Sequence, residues 1–237
     1  MMLFIVIAVI AAVSFGVYRF LAGQRAAVDA ERNTLAAQGF SPCPERRAEI
    51  ERRYNDLATT TGQGGHTLRD PFCAEVAGHP VFFFMGVPPP RGASGSGVAR
   101  PRPVFMLPFT GAASRVQVWL SNSAIDANPM IAKKIGLALS VLDYETPGST
   151  LVRLDVPPAW KARNVIGAIG APGNTLDGLF TRETGNKLAL AGEHGFFRAL
   201  LDDGWLALEQ FTYAAGLPAP HGTLNEQIEF VKKLNPL

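Results

Sequence analysis

Four side chains in the first third of the sequence, Cys43, His66, Cys73 and His79, are of types that ligate metals or attack electrophiles. A metal site needs two to four such groups converging in space, most often with short characteristic spacings. The run His66-x₆-Cys73-x₅-His79 has no standard knuckle spacing, and Cys43 stands between two prolines. A thiolate nucleophile needs a neighbouring His to take its proton, which pairs Cys73 with His66 or His79 as the thiol reading. The expectation is nonetheless that these four are unrelated surface or packing residues, with a structural metal or a Cys43–Cys73 disulfide as the alternatives.

Other constellations are weaker. Gly167-x-x-Gly170-x-x-Gly173 lacks the Lys-Ser/Thr ending of a phosphate loop, so its glycines read as turns. The 92–97 segment (GASGSG) lacks both the G-x-S-x-G spacing and the preceding strand of a hydrolase elbow. Glu193-His194 and Asp202-Asp203 are sequence neighbours, and neighbours seldom face one another; on a helix they diverge by about 100°. The sequence therefore leads to no expected catalytic residue, no cofactor and no metal. Arg46-Arg47 and Arg52-Arg53 alternate with Glu45, Glu49 and Glu51, which predicts intrahelical ion pairs rather than a basic patch. With 22 basic against 20 acidic side chains, the clustered excess that nucleic-acid binding requires is missing. Nucleic acid is not an expected partner.

The apolar excess, 47% of the chain, is unevenly spread. Residues 1–18 carry no charge, and Phe4, Ile5, Ile7, Val9, Ile10 and Phe15 give them apolar character on every face. At about 1.5 Å per residue such a helix is roughly 27 Å long, close to a hydrocarbon core of about 30 Å. Tyr18 suits an interface, and Arg19 can snorkel from the end. A cleaved signal peptide normally has a basic start and small residues at −3 and −1, and neither feature is present. Residues 1–22 are thus expected to be a single transmembrane signal anchor. Arg19, Arg25 and Arg32 follow the span and no Lys or Arg precedes it. The positive-inside rule then places the C-terminal domain on the cytoplasmic side of a bacterial inner membrane, where both cysteines would remain thiols.

Beyond the anchor, 23–39 reads as a juxtamembrane helix stopped by Gly39, and Pro44 opens a second helix with Ile50, Tyr54 and Leu57 on one face. Residues 81–85 are apolar on both faces, as in a doubly covered strand. Residues 86–103 are rich in Gly, Pro and Ser and read as a loop. Strand character resumes at 104–109, with Pro108 limiting it to an edge or an end. In 115–120, Val116, Val118 and Leu120 are expected to face the core, with Arg115, Gln117 and Trp119 half exposed. A hairpin of 135–145 with 149–156 is favoured, closed by Pro157-Pro158, and 165–169 is a short strand. Residues 176–180 read as a helical turn or an edge strand. Residues 187–191 read as a strand and 196–211 as a helix broken by Gly204, the rival for the latter being a hairpin turning at Asp203-Gly204. Thr223-x-x-Glu226 is a capping box before a last helix.

The fold class is therefore α+β: an N-terminal membrane helix, then a globular domain over 40–237 with a largely antiparallel sheet. Two lobes, 40–157 and 158–237, are an option. The functional expectation is a single-pass anchored accessory or interaction domain, a component or regulator of a membrane complex whose partners are the bilayer and a membrane protein. The alternatives are a membrane-tethered hydrolase or thiol-dependent enzyme, and a lipid or small-ligand binder in which 82–84 line a cavity.

Overall fold

The computed structural model describes residues 2–58, 65–88, 101–109, 114–121, 151–162, 164–202, 204–210 and 223–234. The chain divides into two units at Gly39. The first is one helix, α1 (Met2–Ala37), 36 residues without a break, or about 54 Å of rise. Gly39, at φ +85°, ends it as expected, with its N–H on the Ala36 carbonyl. Phe15, Tyr18, Arg19 and Arg25 are exposed on α1, and the Arg19 guanidinium lies 5.6 Å from the centre of the Phe15 ring one turn earlier. The side chains of Phe4, Ile5, Ile7, Val9 and Ile10 lie outside the described residues. Among the described residues, no helix is long and apolar enough to cross a membrane.

The second unit is an α+β domain whose described residues form one sheet of nine strands. The strands are β1 (Ser41–Pro42), β2 (Thr67–Val76), β3 (His79–Val87), β4 (Arg102–Pro108), β5 (Val116–Leu120), β6 (Val152–Leu154), β7 (Val165–Gly170), β8 (Phe196–Asp202) and β9 (Trp205–Gln210). Their order is β1-β2-β3-β4-β9-β8-β5-β7-β6, with every neighbouring pair antiparallel. Strands from both sides of Pro157-Pro158 belong to this one sheet. The helices are α2 (Arg47–Ala58, preceded by a 3-10 turn Pro44–Arg46), α3 (Pro158–Lys161), α4 (Leu176–Leu179), α5 (Arg182–Glu193) and α6 (Leu224–Leu234).

Register fixes what each face carries, because side chains alternate along a strand and opposed residues share a face. One face bears Phe82, Phe84, Arg102, Val104, Met106, Gln117, Trp119, Arg198, Leu200, Trp205, Ala207 and Glu209. Helix α2 covers it through Ile50, Tyr54 and Leu57, all within the same buried cluster as Phe82 and Met106. The other face bears Phe83, Phe105, Val116, Val118, Phe196, Ala199 and Leu208. There Phe230 of α6 packs on Phe196, while α5 contacts β8 and β5. Gly192 of α5 sits so close to the Ser121 carbonyl that an added Cβ would lie 2.5 Å from it.

Several expectations hold. Strand β3 is buried on both faces, α2 buries its predicted stripe, and Pro108 falls at the end of a central strand. The capping box forms in both directions: the Thr223 N–H donates to Glu226 Oε2 at 2.6 Å, and the Glu226 N–H donates to Thr223 Oγ1 at 3.3 Å. Other readings are corrected. Residues 187–191 are helix, inside α5, because Thr181 caps the Thr184 N–H and Leu and Ala are strong helix formers. Residues 196–210 are a hairpin, with Gly204 at φ +83° supplying the turn. The face of β5 expected to be half exposed is buried: Gln117 donates to the Leu57 carbonyl at 3.0 Å and Trp119 lies beneath Arg198. Residues 122–150 and 89–100 lie outside the described residues, and with them most of the expected 135–156 hairpin and the 92–97 segment. The described part of that hairpin, β6, pairs with β7.

Candidate functional site

The turn at Gly204 determines the centre of the α2-covered face. It sets Asp202 opposite Trp205, and counting outward from there sets Arg198 opposite Glu209. Glu209 is fully buried, and burial alone would raise its pKa. Four hydrogen bonds from three side chains answer it. Arg198 donates through Nη2 to Oε1 at 2.6 Å and through Nε to Oε2 at 2.9 Å. Tyr54, reaching down from α2, donates its hydroxyl to Oε1 at 2.6 Å, and Arg102 of β4 donates to Oε2 at 3.3 Å. The charges of Arg198 and then Arg102 outweigh burial and hold the carboxyl down at about 2. In return, Glu209 outweighs the burial of Arg198 and keeps that guanidinium charged. Burial, then the Glu209 charge, pushes the Tyr54 hydroxyl well above its ordinary value.

His66 completes the cluster. The Asn55 side chain grips its backbone from both sides, accepting from the His66 N–H and donating to the His66 carbonyl at 2.9 Å. That grip holds the imidazole edge-on to Tyr54, with ring centroids 5.2 Å apart. The His66 Nδ1 is buried with no hydrogen-bond partner among the described residues. Burial, opposed by Glu209 and reinforced by the two guanidiniums, brings its pKa down to about 4. Gly86 makes room above: a Cβ there would meet the Tyr54 ring and hydroxyl, and Val104, all at 3.2 Å.

Alongside runs a ladder of cations and rings. Arg46 lies 4.6 Å from the Phe82 ring centre, Phe82 stacks on Trp205 at 6.1 Å, and Arg53 lies 4.5 Å from Trp205. Glu49 ties the two arginines together, at 3.0 Å from Arg46 and 3.1 Å from Arg53. The interleaved charges of α2 thus pair within the helix, as their spacing predicts.

At neutral pH the cluster holds a carboxylate, two guanidiniums, a phenol and a neutral imidazole. General acid–base work calls for a pKa near the working pH, and the shifts of Glu209, Tyr54 and His66 all lead away from it. The arrangement fixes α2 to the sheet by directional, charge-assisted hydrogen bonds.

The four expected chemistry-bearing residues separate. His66 joins Tyr54, and His79 is exposed at the start of β3. Cys43 and Cys73 are free thiols, diagonal neighbours across the β1–β2 pairing beneath α2. Among the described residues, no three His, Cys, Asp or Glu side chains are placed to hold a metal ion. The readings 82–84 as cavity lining meets rings packed on protein: Phe82 on Trp205, Phe83 on Phe105 and Phe84 on Tyr54.

Tyr54, Arg102, Arg198 and Glu209 were not among the expected site residues. The signal that finds two of them is Asp203-Gly204, since a two-residue turn there places the single Arg of FFRALL opposite the Glu of LALEQ. Reading that stretch as helix disperses them. No protein-family model, curated protein or solved structure matches the chain.

Proposed function

We infer that the chain is a single-pass, membrane-anchored accessory domain, a non-catalytic component or regulator of a membrane-associated assembly. The observation that carries this reading is α1, one unbroken helix of 36 residues in which 2–18 carry no charge. Water disfavours a helix that is apolar all round, and a bilayer accommodates one. Phe15 and Tyr18, exposed at 61% and 70%, continue that surface to Arg19. The accessory role draws support from the α2-covered face, whose ionisable groups hold one another away from neutral pKa values. On the positive-inside rule the domain lies on the cytoplasmic side of a bacterial inner membrane.

The test is fractionation of cells expressing the full chain. Wild type is expected in the membrane pellet after carbonate extraction. Val9→Arg with Ile10→Arg is expected in the supernatant, since each charge at a helix centre costs about 2.5–3.5 kcal/mol to insert. Wild type in the supernatant would refute the anchor. Purification in mild detergent tests the accessory role, for which a stoichiometric membrane-protein partner is the expected outcome. A chain recovered alone and active on a substrate would replace that role with the tethered-enzyme alternative.

A further inference from the structure

We propose that Cys43 and Cys73 form a redox-convertible pair, a dithiol that a small disulfide oxidant converts within the folded domain to an intramolecular disulfide.

The placement comes from the edge of the sheet. β1 pairs antiparallel with β2, with Ser41 opposite Cys73 and Pro42 opposite Phe72, and the next N–H, that of Cys43, donates to the Pro71 carbonyl at 2.9 Å. Side chains two apart on a strand share a face, so the Cys43 and Cys73 thiols are diagonal neighbours on the face that α2 covers. Cys43 belongs to the buried cluster that holds Phe82, and Cys73 packs against the same cluster. Diagonal neighbours stand about 7–8 Å apart, just beyond the Cα separation a disulfide accepts, so closing the bond requires a backbone shift of about an ångström. β1 is a two-residue strand at the sheet edge and pairs with β2 alone, so the closing movement is borne by that one short strand pairing.

The two sulfurs differ in access. Cys43 is 1% exposed, and burial, followed by the hydrogen bond to Cys73, pushes its thiol up to about 12. Cys73 is half-buried and is the sulfur an incoming reagent reaches. The Cys73 thiolate attacks one sulfur of the oxidant, and the first small thiolate leaves. Cys43 then loses its proton and attacks Cys73 in the mixed disulfide, and the second thiolate leaves. The two protein thiols give up two electrons and two protons, and the oxidant departs as two thiols. The ring so closed contains residues 43–73, which include all of α2 and His66. It fastens the first strand after Gly39 to β2 and encloses α2, the helix that covers Glu209. The pair stands on the pairing of β1 with β2 and does not depend on the membrane reading.

The test uses the full chain in detergent, incubated with oxidised glutathione, quenched with an alkylating reagent and digested without reduction. The expected product is one peptide pair joined through Cys43 and Cys73, with neither thiol alkylated and an intact mass 2 Da below the dithiol. Its unfolding midpoint should lie roughly 7–15 °C above that of the reduced protein, the shift expected for a ring of this size. Cys43→Ser should stop the reaction at a glutathione adduct on Cys73. A wild-type protein ending as that same adduct, as disulfide-linked dimers, or with both thiols alkylated would overturn the proposal.

Discussion

The two faces of the sheet are built from opposite materials. Under α2 the sheet buries a carboxylate, a phenol and an amide, and two half-buried guanidiniums bond the carboxylate. Under α6 it buries a chain of phenylalanines, Phe83 to Phe105 to Phe196 to Phe230, at centroid separations of 4.9, 6.0 and 6.1 Å. The polar exception on that second face is neutral: Gln210 donates to Gln227 Oε1 at 2.7 Å, and Gln227 donates to the His194 carbonyl at 3.1 Å. Dispersion and area hold the phenylalanine face, and such contacts tolerate small shifts of partner. The charged face has little such tolerance, because a buried ion without its partner costs several kcal/mol. Helix α6 is therefore held by shape, and α2 also by a particular set of partners in a particular register.

The largest expected effect breaks that partnership. Arg198→Met leaves Glu209 buried with Tyr54 and the more distant Arg102, and should cost about 3–5 kcal/mol in urea unfolding. Adding Glu209→Leu should recover much of the loss, since an apolar pair requires no compensation. A double variant as unstable as the single one would show that the charges are not the source of the cost.

A second effect depends on acid. His66 has a folded pKa of about 4 against an ordinary 6.5, so between those values the unfolded chain binds more protons than the folded one. Its contribution is therefore intact above about pH 6.5 and is lost as pH falls to about 4, for a total of about 3 kcal/mol. Glu209, at about 2 against 4.5, acts in the same direction lower down: its contribution is present above 4.5 and disappears as pH falls through 2. His66→Gln should flatten the stability profile between pH 6.5 and 4 and leave the lower limb in place. An unchanged slope in the upper window would place the titration elsewhere.

Smaller effects sharpen the contrast. Tyr54→Phe keeps the ring against Phe84 and removes one donor to the carboxylate. It should cost about 1.5–3 kcal/mol by chemical denaturation. On the opposite face, Gln210→Met with Gln227→Met replaces both neutral partners and should change stability by about 1 kcal/mol or less. A larger loss there than at Tyr54 would reverse the ranking of the two faces.

Much of the fold was legible locally. Pro44 and the Ile50, Tyr54, Leu57 stripe specify α2; the Thr223 and Glu226 pair specifies the start of α6; 81–85 specifies a strand covered on both sides. These signals survive because caps, turns and uniform apolarity act within a few residues. The 196–210 segment misled because its apolar residues satisfy a helical and a strand period together. The Gly204 turn, rather than the periodicity, is what distinguishes them. Residues 187–191 misled because an alternating Leu-Ala run suits either element, and the Thr181 cap lies several residues upstream.

The sequence by itself determined an α+β chain with an uncharged leading stretch, an antiparallel sheet and intrahelical ion pairs on α2. It took the three-dimensional fold to bring Glu209 to Tyr54, Arg198 and Arg102, to move His66 from the cysteines to Tyr54, and to set Cys43 and Cys73 as neighbours across β1 and β2. The physical reason is range. Propensity, capping and helical ion pairing are settled within a turn or two of chain. Whether a carboxylate is buried and what answers its charge depend on residues 11 and 155 positions away, which sheet register and helix docking alone bring together.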